Sequence, residues 1–266
     1  MQPLHVVYDC HVTYCRHSVS DHGEGSMGLS REIARLFGYD LMRYKKSFRF
    51  EATLDRLLKR HTFNCVLDIG ANNGWFSGHC IKSLGAVPVY SFEPAGELAQ
   101  ALRQKAKDNP KWHIVQAALG DQAGEASLNL SGGSGVFNSL NAANPDFIDR
   151  FSELKFVGSE TVAVTTLDRF AEENDLSNHD QMLVKIDTQG HDFKVLRGGA
   201  KTLSAAKAVI IELPFQNIYD TTESYRDILD FMDEAGFDIY SLAPISPDQD
   251  GALIEADGFF LRRGVS

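Results

Sequence analysis

Two apolar segments, each ending beside a carboxylate, most constrain what this chain can fold into. The first, Phe63 to Ile69, contains Asp68 and runs directly into a glycine-rich turn at 70–74. The second, Ala86 to Phe92, is followed at once by Glu93. Short apolar runs of this kind are typical of strands that are buried on both faces of a parallel sheet. The turn and the following acid together predict a nucleoside pocket, in which the Glu93 carboxylate binds the ribose hydroxyls.

The spacing of the glycines indicates which adenosine compound the turn favours. A dinucleotide site has the pattern G-x-G-x-x-G, in which bare amides and a helix N-terminus meet a pyrophosphate. Here Gly70 and Gly74 form G-x-x-x-G, and Asp68 at the strand tip would repel a pyrophosphate. The same carboxylate would attract the ammonium and sulfonium cations of S-adenosylmethionine (SAM). We therefore predict SAM as the cofactor, with a dinucleotide or another nucleotide as the alternative.

Strand-like and helix-like segments alternate along most of the chain. The predicted strands are Phe63–Ile69, Ala86–Phe92, Trp112–Leu119, Met182–Asp187, Ala208–Leu213, Phe237–Leu242 and Gly258–Arg262. Helical periodicity predicts helices between them, beginning with residues 75–84 and 94–107. This alternation predicts an α/β fold: a doubly wound, mostly parallel sheet of seven strands, with an antiparallel strand in a C-terminal hairpin.

Two parts of the chain lie outside this alternation. Residues 1–60 are predicted to form an N-terminal extension that packs on the main domain, residues 61–266. The extension should contain a strand or hairpin at 4–14, a short helix after Ser30 and an amphipathic helix at 48–60. An insertion at 124–166 separates the third and fourth strands, and we interpret it as a substrate-side lid, with a plain surface excursion as the alternative.

Composition excludes several other classes of protein. The net charge of −10 and the pI near 5.3 argue against nucleic-acid binding, which needs a basic face. No run of roughly 18 apolar residues could span a membrane. His5, Asp9 and His11 interrupt any signal peptide, so a cytoplasmic location is expected. The His and Cys side chains between residues 5 and 22 lack the spacing of a zinc site, and we predict no metal.

A second group of polar residues follows the fourth predicted strand. The segment V-K-I-D-T-Q-G-H-D at 184–192 contains Asp187 and His191, and Glu212 lies near the end of the next strand. Because ligands bind at the carboxyl ends of parallel strands, we expect these three side chains to converge beside the methyl group of SAM. An alcohol acceptor needs a base, and His191 is the first candidate by its pKa. Asp187 competes for that role or orients the cofactor's amino group, and His191 could instead cap the following helix.

The motifs together resemble the FkbM family of SAM-dependent methyltransferases, whose members mostly O-methylate sugars or natural-product hydroxyls. The resemblance covers residues from about 37 to 262. Its motifs are V-L-D-I-G-A-N-N-G (66–74), S-F-E-P (91–94), A-L-G-D (118–121), F-V-G-S-E-T-V-A-V-T-T-L-D (156–168), V-K-I-D-T-Q-G-H-D (184–192) and V-L-R-G-G (195–199). It implies a Rossmann-like class I methyltransferase fold. The cofactor residues that it implies are Asp68, Gly70, Ala71, Asn72, Gly74, Glu93, Pro94, Ala118, Leu119 and Asp121. It places Asn138 and Ser139 on the acceptor side.

One position departs from the family pattern. An acid often stands where this chain has Gln189, and an amide cannot act as a base, which leaves Asp187 or His191. The predicted function is O-methylation of a sugar, or of a glycosylated or polyketide-like metabolite, by in-line displacement with a general base. The alternatives are a catalytically silent SAM-binding protein and an N- or protein-directed methyltransferase. Residues 1–36, outside the resemblance, are expected to shape the acceptor site or a homodimer contact.

Overall fold

The computed structural model describes residues 33–36, 47–148, 150–220, 223–247 and 251–264. The chain divides into two compact units, Met1–Tyr44 and Lys45–Ser266. In the first unit, residues 33–36 are helical, and the predicted strand at 4–14 lies outside the described residues. The amphipathic helix predicted at 48–60 lies within the second unit. Its apolar side chains, including Leu54 and Leu57, are buried in the core of that unit.

The second unit is an α/β body in which helices and strands alternate. Its helices are α1 Phe50–Arg60, α2 Trp75–Leu84, α3 Gly96–Ala106, α4 Pro145–Ile148, α5 Leu167–Glu173, α6 Asp192–Gly198, α7 Ala200–Leu203 and α8 Tyr225–Glu234. Its strands are β1 Cys65–Ile69, β2 Val89–Phe92, β3 Trp112–Val115, β4 Ala118–Leu119, β5 Gly124–Ser131, β6 Phe156–Thr165, β7 Met182–Ile186, β8 Ala206–Pro214, β9 Phe237–Pro247 and β10 Leu253–Arg262.

The main sheet confirms the predicted fold class. Its strand order is β3-β2-β1-β7-β8-β10-β9, in which the first five strands are parallel and β10 runs antiparallel to both of its neighbours. Every residue of β1 and of β7 is buried, as expected for central strands covered on both faces. The strand order reverses at β1 and β7, so a crevice opens between their carboxyl ends, which is where ligands bind in open α/β sheets.

The structure divides one predicted strand into two. The segment 112–119 forms β3, which lies at the edge of the main sheet, and then the two-residue strand β4. β4 leaves the main sheet and pairs in parallel with β6 through Leu119 and Thr165. The apolar run continues through both strands, so the pattern of hydrophobic residues alone did not reveal the change of sheet.

The insertion at 124–166 is folded. Within it β5 and β6 pair along most of their length, and with β4 they form a second sheet of order β4-β6-β5. Leu128 and Val162 are buried against Ala95 and Ala118, so this small sheet packs beside the carboxyl ends of the main strands. None of the described helices is both long enough and apolar enough to cross a lipid bilayer.

Candidate functional site

A cavity of about 230 Å³ opens at the carboxyl ends of β1, β2, β4 and β7. The turn after β1 and the segment after β7 form two of its walls, and the insertion forms a third. The predicted site residues on its wall are Gly70, Ala71, Asn72, Glu93, Pro94, Ala118, Leu119, Asn138, Asp187 and His191. Trp75, Lys185 and Gln189 also line it. The structure therefore brings most of the predicted cofactor residues together around one space.

The turn after β1 depends on glycine at its first position. Gly70 has φ +80°, and a Cβ atom there would overlap the backbone O of Asp187. The N–H groups of Gly70 and Ala71 donate to the backbone O of Phe92 at 3.1 and 2.9 Å. These contacts hold the turn between the ends of β2 and β7. The turn residues Gly70, Ala71 and Asn72 line the cavity from this position.

Glu93 presents a fixed carboxylate to this cavity. Its Oε2 accepts a hydrogen bond from Asn72 N–H at 2.8 Å, and its Oε1 accepts one from Ala95 N–H at 2.9 Å. Burial raises the pKa of Glu93 to about 7, against the opposing effect of these two donors. Each carboxylate oxygen keeps a further lone pair, so the group can accept hydrogen bonds from two neighbouring hydroxyls. This arrangement fits the ribose of a nucleoside.

Asp68 lies behind the wall and not on it. Its side chain is fully buried, and its Oδ2 accepts a hydrogen bond from Ser77 Oγ at 2.6 Å. Its Oδ1 lies 3.7 Å from Lys185 Nζ, which also contacts Asp187 Oδ2 at 3.1 Å. Although burial opposes its charge, Asp187 and Asp68 hold the pKa of Lys185 above its ordinary value. Asp68 therefore lies next to the cavity wall through its ion pair with Lys185.

Lys185 is a wall residue that the sequence reasoning missed. A lysine inside an otherwise apolar buried strand is unusual, because a buried charge needs a partner. The lysine in this apolar strand could therefore have indicated a functional residue from the sequence. In the structure its partners are Asp68 and Asp187.

Four other predicted residues lie off the wall. Gly74 starts α2, and Asp121 forms an ion pair with Arg197 at 2.8 Å. Ser139 is fully buried and donates to the backbone O of Gln189 at 2.6 Å. Glu212 faces a second, much smaller cavity, which Tyr219 and Glu255 also line. Glu212 thus does not converge with Asp187 and His191, because it points to the other side of the segment that follows β7.

His191 lies on the wall, but its surroundings do not resemble those of a general base. Burial lowers the pKa of His191 to about 4, and the charge of Lys194 adds to this effect. Its Nδ1 is buried and has no hydrogen-bond partner among the described residues. A histidine base needs an acceptor at its second ring nitrogen, which fixes the tautomer and stabilises the imidazolium ion. Asp187, the other candidate base, lies on the same wall, where its Oδ2 and Oδ1 accept hydrogen bonds from Lys185 and Gln189.

The family described as "Methyltransferase FkbM domain" matches residues 68–239. The chain belongs to the FkbM methyltransferase family. This assignment confirms the predicted family and the prediction that the chain is a methyltransferase. This FkbM protein is 24% identical to the 2-O-methyltransferase NoeI of Sinorhizobium fredii (strain NBRC 101917 / NGR234) over 172 residues. The match covers 63% of this chain and 70% of NoeI.

Solved structures similar to this FkbM protein include two with bound SAM. Magnesium protoporphyrin IX methyltransferase (ChlM) from Synechocystis PCC 6803 has a TM-score of 0.41 and 14% identity, over 89% of this chain and 92% of that one. Fibrillarin from Aeropyrum pernix has a TM-score of 0.41 and 12% identity, over 79% of this chain and 74% of that one.

Among the described residues of this FkbM protein, no group of three or more His, Cys, Asp or Glu side chains is arranged to hold a metal ion.

Proposed function

We propose that this FkbM protein is a SAM-dependent O-methyltransferase that acts on a hydroxyl of a sugar, or of a glycosylated or polyketide-like metabolite. The observation that carries the proposal is the buried Glu93 carboxylate, held by two backbone donors at the cavity wall. Glu93 would hold the ribose of SAM, and the apolar wall at Pro94, Ala118 and Leu119 would hold its base. When bound, SAM supplies an activated methyl group on a sulfonium.

An oxygen acceptor is supported by the similarity to a 2-O-methyltransferase. A sugar-like acceptor is supported by the cavity wall at Trp75, whose side chain is 46% exposed. The Trp75 ring stacks on His79, with centroids 5.2 Å apart, and so has a fixed orientation. A fixed and partly exposed indole offers an apolar surface on which the C–H face of a pyranose ring can pack. Val136, which is also half-exposed, adds apolar surface to the same cavity.

The proton of the acceptor hydroxyl would move to a carboxylate oxygen of Asp187. Asp187 lies on the wall, and Lys185 and Gln189 fix its two oxygens. An alcohol becomes a competent nucleophile as a base withdraws its proton, and correct positioning supplies much of the remaining rate enhancement. His191, as a neutral ring, would line the cavity without taking the proton.

Calorimetry with SAM, S-adenosylhomocysteine (SAH) and NAD tests the cofactor site. We expect SAM and SAH to bind, and Glu93→Ala to weaken SAH binding by about 1.5–3 kcal/mol, as expected for the loss of hydrogen bonds to a charged group. Binding of NAD alone would overturn the proposal. Transfer of labelled methyl from SAM to a panel of methyl pyranosides and polyketide-derived alcohols then tests the acceptor class. Binding without transfer to any of them would favour the catalytically silent alternative.

A further inference from the structure

A chain of hydrogen bonds leads from the wall of the cavity into the protein interior. The Nε2 group of Gln189 donates to Asp187 Oδ1 at 2.9 Å. The Oε1 of the same amide accepts a hydrogen bond from the Tyr219 hydroxyl at 2.7 Å. Because burial raises the pKa of Tyr219 well above its ordinary value, the phenol stays protonated and can donate. The Tyr219 hydroxyl thereby orients the amide so that its N–H faces Asp187.

The backbone at Gln189 is held in a conformation that most residues avoid. Gln189 has φ +55°, in the left-handed region where the Cβ atom lies too close to the following carbonyl oxygen. Two side chains of the insertion hold this turn from one side. Ser139 Oγ donates to Gln189 O at 2.6 Å, and Asn141 Nδ2 donates to Gly190 O at 2.6 Å. Strained positions that the surroundings enforce concentrate at functional sites.

Tyr219 also packs against this turn. Its ring packs directly on Gly190, where a Cβ atom would approach the Tyr219 ring to within 2.9 Å. Tyr219 is itself buried and is bridged through its backbone to Ala143 of the insertion. The Gln189 amide is thus held through its side chain by the Tyr219 hydroxyl, and the backbone of the turn is held by Ser139, Asn141 and the Tyr219 ring.

The Gln189 amide acts on a wall carboxylate that keeps lone pairs for a ligand, although its Oδ2 already contacts Lys185 Nζ at 3.1 Å. Among the described residues, Glu93 and Asp187 are the carboxylates on the cavity wall. Glu93 is placed for the ribose, whereas Asp187 lies against the turn after β1 through the close contact of its backbone O with Gly70. Asp187 is therefore the carboxylate that remains for the positively charged end of the cofactor.

We propose that Gln189 is a positioning residue that holds the Asp187 carboxylate toward the cationic end of SAM, and that the Tyr219 hydroxyl fixes the Gln189 amide for this task. The inference rests on the proposed function, because it requires SAM in the cavity. An amide serves here because a carboxylate at position 189 would repel Asp187 unless it carried a proton.

Binding of SAM and SAH, measured by calorimetry at pH 7.5 on the full chain, tests this proposal without an acceptor. Asp187→Asn should weaken SAM binding by about 10-fold or more, because it removes a charge-assisted contact. Gln189→Met keeps the length of the side chain but has no donor, and should weaken SAM binding by about 3- to 10-fold. Tyr219→Phe should have a smaller effect of the same sign. A loss greater for SAM than for SAH assigns Asp187 to the sulfonium, beside the methyl group, where the same carboxylate can also take the proton of the acceptor hydroxyl. Equal losses assign Asp187 to the ammonium group and leave the role of base to another residue.

A double-variant cycle separates positioning from a general structural effect. In the Asp187→Asn background, Gln189→Met should cost SAM binding nothing further, because the carboxylate that it positions is gone. Gln181→Met is the matched control: Gln181 accepts from Lys207 Nζ at 2.8 Å, beside the start of β7, and its replacement should leave both affinities unchanged.

Three results would overturn the positioning role while leaving the proposed function intact. The first is that Asp187→Asn binds SAM as tightly as wild type. The second is that Gln189→Met and Tyr219→Phe both bind SAM as tightly as wild type. The third is that Gln189→Met weakens SAM binding as much in the Asp187→Asn background as it does in the wild-type background. Should Gln189→Met fail to fold, Tyr219→Phe and its combination with Asp187→Asn complete the same cycle. A wild-type protein that binds neither SAM nor SAH would instead refute the proposed function itself.

Discussion

Glu93 Oε2 accepts a hydrogen bond from the backbone N–H of Asn72 at 2.8 Å, which ties the end of β2 to the turn after β1. Burial raises the pKa of Glu93 to about 7, so its charge changes within the physiological range. The ionised form offers more lone pairs to ribose hydroxyls than the protonated form does. We therefore expect SAH affinity to fall as the pH is lowered from 8 to 6, with a limiting slope of about tenfold per pH unit.

Calorimetric titrations with SAH across this range measure the effect, and Glu93→Gln provides the control. The glutamine variant should bind SAH more weakly at pH 8 and show a flat pH profile between 6 and 8. An equal pH slope in both proteins would assign the titration to another group.

The buried ion pair between Lys185 and Asp68 predicts a large effect on stability. Lys185→Met would leave the fully buried Asp68 without its cation at 3.7 Å. Removal of one partner of a buried pair costs about 3–5 kcal/mol, because the remaining charge is uncompensated. Urea unfolding should show this loss, and the double variant Lys185→Met with Asp68→Asn should recover part of it. A loss below about 1 kcal/mol would mean that Asp68 is already neutral in the folded protein.

A buried acidic cluster predicts how stability depends on pH. Burial raises the pKa values of Glu212 and Glu255, and it raises that of Asp257 to about 7. Because the folded protein then binds more protons than the unfolded chain, stability is greatest where these groups are protonated and is lost as the pH rises through about 7. The melting temperature should therefore be higher at pH 6.5 than at pH 8.5. Below pH 6.5, the lowered pKa of His191 has the opposite effect, since the unfolded chain then binds the extra proton.

Glu255→Gln removes one ionisable member of this cluster while keeping its shape. Differential scanning calorimetry of the protein without cofactor should show a melting temperature about 3 °C above wild type at pH 8.5. The difference should shrink at pH 6.5, where Glu255 is already protonated in the wild type. An increase of the same size at both pH values would contradict an electrostatic origin.

The sequence predicted the parts of this site that depend on local pattern. The apolar runs of β1 and β7 predict that both strands are buried. The glycine at position 70 predicts the turn that follows β1. Glu93 was predicted from its place at the end of β2, and its side chain does reach the cavity.

The sequence did not predict the features of the site that depend on the face of the sheet to which a side chain points, or on contacts between segments distant in the chain. Asp68 precedes Ile69 in a strand whose side chains alternate between faces, so proximity to the strand end did not show that its carboxylate lies behind the wall. Glu212 was misplaced for a similar reason, because it pairs in register with Asp257 of β10 and faces the smaller cavity. Tyr219 contacts Gln189 only because the chain folds back over 30 residues, which no local pattern reports.

Two glycines with similar positive φ angles but different surroundings give the last prediction. Gly70 and Gly85 have φ +80° and +75°, but a Cβ atom at Gly70 would overlap Asp187 O, whereas nothing lies within 4 Å at Gly85. Gly85→Ala should cost only the backbone strain of its conformation, φ +75° and ψ −122°, which is about 1–3 kcal/mol. Gly70→Ala should cost at least about 1–3 kcal/mol more and abolish SAH binding, because Asp187 and the turn must separate. Urea unfolding and calorimetry measure both. If the two variants lost equal stability and both bound SAH, the tight contact between the turn and β7 would not be required for the site.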